Sequence, residues 1–206
     1  MNKDHVIVEA KAEYTKQLIT VLTEPVYEKL MAVYDRVDES TKVRRELLIN
    51  VQKELKQIPL WNQAQIDYEV DKVTRSCSWI GDLVAAIFIS NVKILTSVKI
   101  GKDKKKIQIT MPKTDQFVHK VFIETAAKLY DNPFVFQTAN KKPEVVAIIR
   151  QSIEDTIRTL LPFQNILQSY LGETLNSPSE TDSGDDEPEQ GETEEPEEIE
   201  EVHYYV

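Results

Sequence analysis

Apolar residues recur at three- and four-residue spacing through most of the first 172 positions, the signature of amphipathic helices. Tyr14, Leu18 and Leu22 mark a first helix, which Glu24-Pro25 is expected to interrupt. Pro25 suits the first turn of a second helix, where its missing N–H would be unpaired anyway. That helix carries Val26, Leu30, Val33 and Val37 on one side. Ser40 or Thr41 can cap a third, with Leu47, Val51, Leu55 and Ile58 inward and Pro59 as its stop. Asn62, with Gln65 three residues later, has the capping-box pattern for a fourth helix lined by Ile66, Val70, Val73 and Cys77. A fifth, from Trp79 to about Thr96, is apolar nearly all round at its centre, and a buried place in the middle of the bundle is expected. Thr114 can cap a sixth, with Val118, Phe122, Thr125 and Leu129 aligned, ending at "DNP". Pro143 opens a seventh, with Val146, Ile149, Ile153, Ile157 and Leu160 aligned. Pro162 ends or kinks it, and "FQNILQSYLG" reads as a short closing helix stopped by Gly172.

One stretch changes period. "TSVKI" and "KIQITM" alternate apolar and polar residues around "GKDKK", which predicts a β-hairpin near 97–111 with a lysine-rich tip. The expectation is a mainly α protein: a compact bundle of about seven helices over 1–172 with one β-hairpin insertion. From 173 to 206 the composition collapses to Glu, Asp, Ser, Thr, Pro and Gly. Such a segment buries too little to offset about 1–2 kcal/mol of backbone entropy per residue, so a disordered acidic tail is expected.

Charge sharpens that division. The net charge is −10, yet residues 173–206 hold fourteen acids and no Lys or Arg, which leaves 21 acids against 25 basic residues in the body. The body is mildly basic and the acidity belongs to the tail. Cys77 is the sole cysteine, so an internal disulfide is excluded and a cysteine zinc site disfavoured. The N-terminus lacks the long apolar core of a signal peptide, and "LVAAIFISNV" is too short to span a bilayer; no transmembrane segment and a soluble protein are expected.

Catalytic chemistry finds little material. Five glycines offer no phosphate-cradling motif, and His5, His119 and His203 are far apart. Asp115 and His119, four apart, read as a surface ion pair before an acid–base or metal pair. Asp67 and Asp71 read as a solvated helix face before a cation site. Cys77, on an apolar stripe, reads as core packing, and Trp61 and Trp79 as aromatic core corners before a ligand pocket. No enzyme activity, cofactor or metal is expected.

Two features favour binding. Lys99, Lys102, Lys104, Lys105 and Lys106 form a basic tip able to meet phosphates, an anionic membrane or an acidic protein surface, against the plainer reading that lysines keep a hairpin tip soluble and unpaired. No aromatic residue is interleaved there, which disfavours nucleic acid as partner. At the other extreme His203, Tyr204, Tyr205 and Val206 close the acidic run with aromatic anchors, the ingredients of a docking peptide, against the plainer reading of a chance terminus. Ser179 and Ser183 each have an acid three residues on, as acid-directed kinases prefer. A tail that folds back on the basic hairpin is a further expectation, one that salt would loosen.

The ordered segments "LTEPVYEKLMAVYD", "IPLWNQAQIDYEVDKV", "WIGDLVAAIFISNVKILTSVKI", "DQFVHKVFIETAAKLYDNPFVF" and "IEDTIRTLLPFQNILQSYLG" resemble an uncharacterised family of nucleocytoplasmic large DNA viruses, the giant viruses of algae and protists. The likeness covers roughly residues 16–172 and supplies no catalytic residues to carry over. It implies a viral protein of the virion or host cytoplasm: a minor capsid, internal virion or assembly component whose partners are other virion or viral proteins. The alternative is a non-virion adaptor in infected cells whose acidic tail recruits a basic protein. The residues leave the oligomeric state open.

Overall fold

A computed structural model of the chain describes residues 3–97, 110–164 and 166. Among them are six α-helices: α1 (Lys3–Ser40), α2 (Leu47–Leu55), α3 (Gln63–Ser76), α4 (Ile80–Ser97), α5 (Thr114–Asp131) and α6 (Lys141–Leu160). Short 3₁₀ turns at Arg44–Glu46, Ile58–Leu60 and Pro133–Gln137 make the tight connections. The described residues contain no strand. Most of the expected hairpin, most of the closing helix and the whole acidic tail lie outside the described residues. Where the hairpin was to begin, α4 is still helical through Ser97. Met111 lies in irregular chain and packs half-buried on the core.

The first two expected helices are one. Pro25 sits inside the 38-residue α1 rather than at a boundary. An interior proline forfeits one backbone hydrogen bond and costs about 3 kcal/mol. Packing outweighs that cost: Leu18, Leu22, Val26 and Leu30, spaced by four along one face, are all completely buried. At about 1.5–3 kcal/mol for each buried aliphatic side chain, the stripe is worth several times the proline penalty. Beyond Leu30 the buried face widens to take in Met31, Val33, Tyr34 and Val37. Before Leu18 no described residue of α1 is buried, and the expected core residue Tyr14 is 38% exposed.

α1 is the element the others share: α2, α3, α4 and α6 all pack on it. α4 is buried over most of its surface through Ile80, Leu83, Val84, Ile87, Phe88 and Val92. Its principal neighbour is α1 and it meets α5 more lightly, so α1 rather than α4 is the hub of the bundle. Gly81 permits the approach to α5, since a Cβ there would stand 3.1 Å from Thr114 Oγ1. α5 takes the opposite wall, packing on α2, α3 and α6. Its Val118, Phe122, Thr125 and Leu129 are buried as the spacing predicts, and so are Leu47, Val51, Leu55 and Ile58 of the α2 segment. On α6 the buried stripe starts at Val145, one position from the expected Val146, and runs through Ile149, Ile153 and Ile157.

Helix ends follow the side chains only in part. Asn62 and Gln65 form the full capping box: Asn62 Oδ1 accepts from the Gln65 N–H at 3.0 Å and Gln65 Oε1 from the Asn62 N–H at 3.0 Å. Ser40 instead belongs to the last turn of α1, where its hydroxyl donates to the Val37 carbonyl at 3.1 Å. Thr41 accepts from Asn50 at 3.3 Å, so neither caps α2, which follows a 3₁₀ turn. Thr114 is the first residue inside α5 rather than its cap.

Replacing Pro25 by Ala restores the missing donor in a helix that already packs correctly. It is expected to raise unfolding stability by about 1–3 kcal/mol. Urea denaturation followed by circular dichroism reads this directly, and an unchanged or lower midpoint would show that α1 depends on the proline. Leu22→Ala should cost about 2–5 kcal/mol in the same assay.

Candidate functional site

The residues singled out for binding, Lys99, Lys102, Lys104, Lys105 and Lys106 together with His203, Tyr204, Tyr205 and Val206, lie outside the described residues. The other candidates are placed, and most are engaged structurally. Asp115 and His119 do not pair. Asp115 Oδ1 accepts from the Gln116 N–H at 2.8 Å and Oδ2 from Gln63 Nε2 at 3.3 Å. His119 Nε2 lies 2.9 Å from the Ile58 carbonyl, to which it donates, so the ring nitrogen is committed to the turn after α2. Asp67 accepts from Gln63 Nε2 at 2.7 Å. No group of three metal-ligating side chains occurs among the described residues. Cys77 is 3% exposed, where α3 gives way to the turn before α4. The two tryptophans part company. Trp61 packs on the core, whereas Trp79 is 49% exposed and so is not the expected core corner.

The feature that sequence reading missed is Glu69. It is 3% exposed, a carboxylate set into the inner face of α3 between Ile66 and Val73. Lys29 of α1 reaches Oε1 at 2.7 Å, and Lys72, one turn along α3, reaches Oε2 at 2.9 Å. The contact to Oε1 is an ion pair without an aligned hydrogen bond. The signal was present in the spacing, because Ile66, Glu69 and Val73 share one helix face. A charge at a core register position demands a partner.

An aromatic row continues from this triad. Lys29 Nζ lies 5.1 Å from the Trp61 ring centroid, a cation–π contact. Trp61 stacks on His119 with centroids 5.8 Å apart and planes 11° apart, and meets Phe122 at 5.2 Å. Lys72 also covers the exposed Tyr68 ring at 4.4 Å. One line of side chains thus joins α1, α3, the Ile58–Leu60 turn and α5. Its carboxylate is held between two ammonium groups and its imidazole donates to a carbonyl. The row therefore fixes the helices against one another.

Proton equilibria shift at the far side of α1. Burial, then the nearby Asp38 carboxylate, raises Tyr34 above its ordinary value. Tyr34 stacks on Phe136 at 5.0 Å with Lys141 over the ring at 4.4 Å. The hydrogen bond to Glu24 at 2.9 Å raises Lys142. Both groups tie α6 and the turn before it to α1.

A mainly helical domain, with six α-helices among the described residues, built on a long shared helix and holding a buried carboxylate between two half-exposed lysines, is the class that fold and site define. The chain belongs to the family of unknown function DUF5764, whose model matches residues 4–137. That match takes in the triad and the aromatic row and ends at the last residue of the Pro133–Gln137 turn, ahead of α6. No curated protein matches the chain. No solved structure matches it either.

Removing both lysines would strand the buried carboxylate. Lys29→Ala with Lys72→Ala is expected to cost about 3–5 kcal/mol, and adding Glu69→Leu to recover most of it. Lys72→Ala alone should matter little, since its side chain is 39% exposed and its pair lies within one helix. Urea midpoints of the four proteins test this; a double variant no weaker than Lys72→Ala would remove the triad from the account of α1–α3 packing.

Proposed function

We propose that this protein is a non-enzymatic docking component, and that, following the resemblance of its segments to giant-virus proteins, it serves as a minor capsid, internal virion or assembly protein. The observation that carries the docking reading is the placement of Phe134. Its neighbours Pro133, Val135 and Phe136 are buried, so the turn is anchored, yet Phe134 itself is 68% exposed. Leu60 repeats the pattern: Ile58 in the same turn is buried and accepts from His119, while Leu60 is 74% exposed. Large apolar side chains held in water by rigid turns are ready anchors for a partner surface, because little entropy is lost on docking. The body–tail charge division supports the same reading, with the acidic residues beyond Gly172 as reach and the Tyr204–Tyr205 tip as a second anchor.

Quantitative mass spectrometry of purified, protease-treated virus particles tests the virion assignment. A fixed copy ratio to the major capsid protein is expected. Absence from particles with abundance in infected cells would sink that assignment and favour an adaptor working through its acidic tail. Within particles, Leu60→Asp with Phe134→Asp should lower incorporation at least several-fold while leaving the circular dichroism spectrum unchanged. Full incorporation of that variant would refute the two turns as anchors.

A further inference from the structure

α1 and α6 run antiparallel. Lys142 at the start of α6 pairs with Glu24, and Arg150 and Glu154, two and three turns on, lie beside α1 between Val8 and Thr20. Between these faces is an open groove of about 600 Å³. The α1 wall is one helical stripe, with Val8, Ala12 and Ile19 supplying apolar surface and Lys11 and Lys16 supplying charge. Thr15 and Thr20 turn their hydroxyls back to the Lys11 and Lys16 carbonyls at 2.9 Å.

The charge in the groove is unbalanced. Lys11, Lys16 and Arg150 form no ion pair among the described residues, although Lys142 and Arg158 on the same α6 face acids. The one carboxylate among the described lining residues, Glu154, is drawn toward Arg158 at 3.6 Å. Most of this stretch of α1, from Val8 to Lys16, precedes the first buried core position, Leu18, and Val8 is 48% exposed. The groove spans about 18 Å along α1 at 1.5 Å per residue, enough for an extended peptide of five or six residues or three turns of helix.

We infer that this groove is a docking site for an acidic peptide segment that carries apolar side chains between its carboxylates. The apolar stripe takes the aliphatic or aromatic groups, and Lys11, Lys16 and Arg150 take the carboxylates, with Arg150 suited to a bidentate grip. Three cations beside an apolar wall fit such a peptide better than a nucleic-acid backbone, which asks for a longer charged track and stacking platforms. The inference stands on the groove alone and does not depend on a viral role.

The test uses the full-length protein and a fluorescein-labelled free peptide, EEIEEVHYYV, chosen because it has this chemistry. Anisotropy titrations at 50 mM and 300 mM salt are expected to show saturable binding that weakens at least fivefold at the higher salt. Lys16→Glu with Arg150→Glu, both exposed positions, should weaken it at least tenfold with helicity unchanged. A peptide with Ser in place of its Ile, Val and Tyr residues should also bind at least fivefold more weakly. Equal affinity for the double variant overturns the site, as does loss of binding on substituting Lys102, Lys104 and Lys105 instead. A single-stranded oligonucleotide that displaces the peptide and is itself lost in the double variant overturns the ligand class. A change in sedimentation of the double variant without peptide assigns the groove to self-association and overturns the proposal. Absence of binding at 1 mM peptide does so outright.

Discussion

The bundle depends on one unbroken apolar stripe. Leu18, Leu22, Val26 and Leu30 are sealed from water along a helix that a proline ought to divide. Because four other helices pack on α1, a break at Pro25 would split the core rather than merely bend one element. Burial is collective in a way that a single backbone hydrogen bond is not, and the balance falls to the side chains. The rest of the architecture follows from keeping this rod straight enough to serve several neighbours at once.

Polar side chains then set how the neighbours are held. Glu69 between Lys29 and Lys72 fixes α3 on α1, and His119 fixes α5 on the turn after α2. Gln52 Nε2 adds a second tie by donating to the Tyr130 carbonyl at 2.7 Å. Such contacts contribute less to stability than the apolar core, and a buried ion pair can be nearly neutral against a hydrophobic substitute. Their value is in direction: a carboxylate in the core tolerates one arrangement of its cations, where aliphatic side chains tolerate several.

Helical periodicity made α2, α3, α5 and α6 readable, because each buries one face and its apolar residues recur at three and four. The Asn62–Gln65 capping box was readable for a similar reason, as both partners lie within four residues. The failures have a common cause. Pro25 reads locally as a breaker, and only the alignment of Leu22 with Val26 across it reveals continuity. Ser40 and Thr41 look like caps, but the chain turns through a 3₁₀ segment before α2 begins. Trp79 has the composition of a core residue and half-emerges into solvent. Glu69 was passed over because its two cations come from different distances along the chain, Lys72 three residues away and Lys29 forty. The groove between α1 and α6 needs two helices brought together, and no local pattern announces it.

Cys77 carries a practical consequence. It is the only thiol in the chain, and it is shut into the core where α3 gives way to α4. A sulfhydryl there reacts with a soluble reagent only when that corner opens, so the rate of modification counts openings of this one joint. The protein thus carries its own clock for local motion at the seam between two helices, with no foreign label needed to read it.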